Sequence, residues 1–149
     1  VKLAAPLIIA AHAATLPTLD GWADVAVYEG QATRRDDVRQ WVTLGYVAGD
    51  DGPAVHVEPS TNGQRQNIEA GSIACSLVAT AADVAAARGA VFALLEPWTE
   101  WLATDRTLDA VLLPDSSLSL VADVALVTTR NGGTATAVVT ITYSANTYG

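Results

Sequence analysis

The sequence predicts an α+β fold, a mainly antiparallel sheet with two helices packed on one face. Three observations predict it. Two segments repeat their apolar residues at helical spacing, and several others alternate them at strand spacing. The order is helix, three or four strands, helix, two strands. The 149 residues show no internal repeat and no composition break, so 1–149 reads as one domain.

Residues 2–16 read as the first helix, with Leu3, Leu7, Ala10, Ala11 and Ala14 on one face. Pro6 fits its first turn, where a missing N–H costs little. Pro17 stops it, and Asp20-Gly21 is a turn. Lys2 and the apolar run behind it have the outline of a secretory signal peptide. The run continues through Ala13, Ala14, Thr15 and Leu16 in a pattern that suits an ordinary buried helix. It is too short for a bilayer, which takes about 20 apolar residues.

Val25 to Glu29 is a short strand closed by Gly30. Asp37 to Val47 is a longer one. Val38, Gln40, Val42, Leu44 and Tyr46 share one side, and Arg39, Trp41, Thr43 and Gly45 the other. Gly49-Asp50-Asp51-Gly52-Pro53 is a turn signal. Val55 and Val57 then alternate with His56 and Glu58. Residues 59–71 carry only Ile68 as a large apolar side chain and read as a long polar loop.

Ser72 to Thr80 is a strand with Ile73, Cys75, Leu77 and Ala79 facing one way. Thr80 followed by Asp83 has capping-box form and starts the second helix. Val84, Val91, Leu95, Trp98 and Leu102 define its apolar face. Pro97 must kink this helix or begin another. Gly89 costs roughly 1 kcal/mol relative to Ala, which points to a close backbone contact there. Residues 118–129 and 134–145 are the strongest strands, joined by the hairpin signal Arg130-Asn131-Gly132-Gly133. In the second, one face is apolar and the other mostly hydroxyl.

Composition narrows the function. Half the residues are hydrophobic and the mean hydropathy is +0.28, which excludes a disordered chain. The net charge of −8 leaves no basic stripe for gripping phosphates. The single cysteine, Cys75, cannot form an internal disulfide, and its strand parity makes it a buried small hydrophobe. His12 and His56 are the only histidines, and they read as one at the core edge and one at the surface. Asp36-Asp37 and Asp50-Asp51 are adjacent turn acids without calcium-loop spacing. No phosphate-binding loop or serine elbow occurs. No catalytic residue, cofactor or metal is therefore expected.

The segment Glu69-x-Gly71-x-Ile73-x-Cys75 enters a strand and leads into an alanine-rich helix. Leu102, Asp105, Thr107, Leu108 and Val111 follow, then a closing strand pair ending at Tyr143. In these residues, and in length and element order, the chain resembles the tail terminator (tail completion, minor tail protein U-like) proteins of long-tailed bacteriophages. That family more usually places Pro and Gly where this chain has Arg106 and Asp109, so its turn here is expected to differ. The resemblance implies a non-enzymatic virion protein, assembled in the host cytoplasm, that forms a hexameric ring. The ring would cap the head-proximal end of the tail tube, stop its growth and dock to the head–tail connector. Genome DNA would pass through it without specific binding.

A ring of head-to-tail contacts needs two different matching surfaces per subunit. The polar loops 30–37 and 48–71 are the candidates. Arg34, Arg35, Asp36, Asp37, Trp41, Gln64 and Arg65 are expected at the subunit or tube interface, and Asp50 and Asp51 toward the lumen, where acids repel phosphates. Two alternatives stand beside this reading: another connector or tail-tube component, and a small soluble enzyme built on the histidines and paired acids.

Overall fold

A computed structural model describes residues 3–33, 37–47, 52–61, 66–109, 111–129 and 132–148, with backbone alone at 60, 61, 66, 67, 129 and 148. The elements are α1 (Ala4–Thr15), a 3-10 turn (Leu16–Thr18), β1 (Ala26–Glu29), β2 (Gln40–Leu44), β3 (Val55–Thr61), β4 (Gln66–Ala81), α2 (Val84–Thr104), β5 (Ser117–Thr129) and β6 (Gly132–Tyr148). The fold is α+β. One six-stranded sheet runs in the order β1-β2-β4-β6-β5. Its pairings are antiparallel except β1 with β2. β2 and β3 share one edge of β4 end to end, β2 against residues 75–79 and β3 against 67–73.

Strand alternation places the core. Ile73, Cys75, Leu77 and Ala79 of β4 and Ala135, Ala137, Val139, Ile141, Tyr143 and Ala145 of β6 all turn inward. Both helices pack on that face, with Trp22 and Trp98 edge to face, their centroids 5.8 Å apart. α2 buries Ala87, Val91, Leu94, Leu95, Trp98 and Leu102, close to the face its periodicity predicts.

Several expectations change. α1 buries Ala4, Ala5, Ile8 and His12, whereas Leu3, Ala10 and Ala14 face solvent. A helix without a charged residue has no polar side to fix its rotation, so its docking decides. Residues 59–71 are not a loop throughout. β3 runs to Thr61 and β4 starts at Gln66, with Pro59 opposite Glu69. The shortage of large apolar side chains in this stretch hid the pairing. Pro59 is tolerated because β3 bonds to a neighbour on one side only.

β2 is only five residues long, because Gly45 turns the chain at φ +70°. The cap of α2 is Asp83, whose carboxylate accepts from Ala86 N–H at 2.7 Å. Thr80 instead donates to the Arg39 carbonyl. Pro97 does not begin a second helix, as α2 runs through it to Thr104. Apart from the helix's own backbone and the neighbouring residues, no described atom lies within 4 Å of a Cβ built at Gly89, so no close contact of the kind expected there is seen among the described residues.

Candidate functional site

The motif residues converge at one end of the sheet. Glu69 lies on the inward parity of β4 and is 3% exposed. Its carboxylate accepts from Ala4 N–H at 2.9 Å and Ala5 N–H at 3.0 Å, the first turn of α1. The first-turn N–H groups of a helix have no partner within it and carry its positive dipole end. Leu3 offers no cap of its own, so a carboxylate 65 residues away supplies it.

The Tyr143 hydroxyl completes the latch, donating to Glu69 at 2.7 Å. Tyr143 stands directly across from Gly71 in the register. A Cβ at Gly71 would lie 2.7 Å from the Tyr143 hydroxyl and would strike the His56 carbonyl. Glycine therefore opens the path along which the tyrosine reaches Glu69. Burial, the hydrogen bond and the neighbouring negative charge hold the Tyr143 phenol well above its ordinary range. It stays a protonated donor.

The second motif segment is a turn pinned to the sheet. Asp105 accepts from Thr107 Oγ1 at 3.2 Å and from Asp109 N–H at 2.9 Å. Leu108 and Asp109 both have positive φ, +50° and +59°. Asp109, an aspartate, thus takes a left-handed backbone conformation that favours glycine. Burial of the Leu108 side chain helps to offset the strain.

The helix-free face of the sheet holds an open trough of about 550 Å³. Its floor is Trp41, Thr43, Ser76, Val78, Thr80, Thr134, Thr136 and Val138. Gln31, Ala32, Tyr46 and Val47 belong to its wall. Trp41 is half-buried in this floor, and Thr43 is tied to the Tyr46 carbonyl at 2.8 Å. Asp37 is exposed outside the lining. Arg34, Arg35, Asp36, Asp50, Asp51, Gln64 and Arg65 lie outside the described residues. Sequence reasoning missed Tyr46 and Ser76 as lining. The hydroxyl face of β6 was the available signal.

The histidines are far apart in environment. His12 is fully buried against Trp98 and Trp101, deeper than the core edge expected for it. Its Nδ1–H donates to the Ile8 carbonyl at 2.8 Å, leaving Nε2 without a hydrogen-bond partner among the described residues. Burial lowers its pKa to about 4, against the opposing pull of that bond. His56 is exposed on β3, 3.1 Å from Glu58. Burial pushes the Cys75 thiol up to about 11, which keeps it inert. Among the described residues no three His, Cys, Asp or Glu side chains gather as a metal site.

No protein-family profile matches the chain, and no curated protein matches it. Among solved structures it is similar to a chain from the virion of a native gene transfer agent (GTA) particle. That likeness has 18% identity, 89% coverage of this chain, 85% of the other, and a TM-score of 0.41. A superposition that loose decides neither family nor role.

Proposed function

We propose that the protein is a structural virion subunit of a phage-like particle. It forms a six-membered ring that caps the head-proximal end of the tail tube, stops tube growth and meets the head–tail connector. One observation carries the reading. Glu69, Gly71 and Tyr143, three of the residues that carry the sequence resemblance, act together as a buried latch that sets α1 on the sheet.

The trough, lined in its described part by hydroxyl, aromatic and small apolar side chains, suits a contact surface. An excess of acids, eight in net charge, suits a channel that DNA must traverse without sticking.

Negative-stain electron microscopy of the purified chain, alone and mixed with tail tubes, tests the reading. Six-lobed rings and density at one end of the tubes are expected. Long tubes formed by the chain alone would make it a tube protein. A monomer that ignores tubes would refute the assembly role.

A further inference from the structure

β5 ends the sheet, pairing with β6 on one side and, among the described residues, leaving its other backbone edge open. It is 13 residues long, and all 13 pair with β6 in unbroken register, without a bulge. It contains no proline and no lysine or arginine, and Asp123 is its single charge. Isolated sheets blunt such an edge with shortness, charge, proline or a bulge, because a long apolar edge templates pairing with another chain. β5 has almost none of these protections. Val121 and Val127 are each 57% exposed, and Leu118, Leu120, Ala122 and Val124 are only half-buried.

We infer that β5 is an assembly edge, occupied by a second copy of this chain through strand addition. Charge favours this occupant. Two copies each carrying −8 repel wherever their acids meet. Across β4, β6 and β5 the described helix-free face carries one charged side chain, Asp123. This is the surface along which acidic copies can approach.

Strand direction favours it as well. β5 runs parallel to β4, whereas β1 and β3, at the opposite edge, run antiparallel to it. Copies related by rotation about an axis along the strands would therefore bring β5 of one against β1 or β3 of the next, antiparallel. A two-fold pairing of β5 with itself in full register would set Asp123 opposite Asp123, which is unfavourable. The contact is thus head-to-tail, the type that closes rings. The choice of a closed ring over an open chain rests on the tail-cap reading. The edge pairing does not.

The test combines hydrogen exchange with sedimentation on the full chain. On dilution from oligomer to monomer, amides in 117–129 are expected to lose protection at least tenfold. The double variant Val121→Lys/Val127→Lys is expected to sediment as monomer and to keep the thermal midpoint of the wild-type chain diluted to monomer, since both side chains are exposed in the single chain. Protection in 117–129 that is indifferent to dilution would overturn the proposal, as would a variant that still assembles. Either result, obtained with intact rings, would leave the tail-cap reading standing. A β5-dependent oligomer that ignores tail tubes would keep this proposal and remove that reading. A chain monomeric at every concentration would overturn the proposal.

Discussion

The two helices are held in opposite ways. α2 has an amphipathic pattern, and its own N-cap, Asp83, bonds three residues ahead. α1 has no charged residue and no cap of its own, and borrows one from β4. A helix of 12 residues is marginal in water without tertiary contacts. The difference teaches that α2 is specified by its own segment, whereas α1 becomes a defined helix only once the sheet has formed.

Breaking the borrowed cap has the largest expected effect. Glu69→Ala leaves two helix N–H groups and the Tyr143 hydroxyl without their acceptor. At ~1–3 kcal/mol for each stranded buried group, a loss of about 4 kcal/mol is expected in urea unfolding. Exchange should rise across Ala4–Thr15 before it rises in α2. Equal exchange in both helices would erase the contrast between them.

Acid strikes the junction of the helices, where His12 packs on Trp98 and Trp101. Burial lowers the His12 pKa in the folded chain to about 4, from an ordinary value of 6.5. Between those values the unfolded chain binds the proton and the folded one does not. Stability is therefore fully present above 6.5, declines as pH falls through the window, and stops declining near 4. The fall attributable to this residue is about 3 kcal/mol. Denaturant titrations at stepped pH measure it, and His12→Gln should flatten that part of the slope.

Asp83→Ala removes the self-supplied cap of α2 and should cost about 1 kcal/mol. Calorimetry is expected to show a smaller drop than for Glu69→Ala, with helix content retained. A drop as large as that of Glu69→Ala would mean that α2 also depends on its cap. The smallest effect should be a gain. Asp109→Gly relieves a left-handed residue while keeping the backbone bond to Asp105, so stability should rise by about 0.5 kcal/mol. A loss in midpoint would show that the Asp109 side chain has a role beyond its backbone.

Legibility followed locality. The inward faces of β4 and β6 and the apolar face of α2 could be read because period 2 and period 3.6 are local properties. The latch was half legible: Glu69, Gly71 and Tyr143 stood out as a pattern. Their purpose did not, because Glu69 lay in a stretch whose polarity imitated a loop. The trough was less legible still. Trp41 could be placed on the more polar side of its strand, but Tyr46 joins it only because Gly45 turns the chain.

By itself the sequence determined the layer order, the alternation that builds the core, the acidic character of the chain and its lack of an internal disulfide. Each depends on neighbours a few residues apart or on simple counts. Tertiary structure alone decided which side of α1 is buried, what caps it, and that β5 is left with an open edge. These depend on groups such as Ala4 and Glu69, 65 residues apart, that meet only when the sheet closes between them.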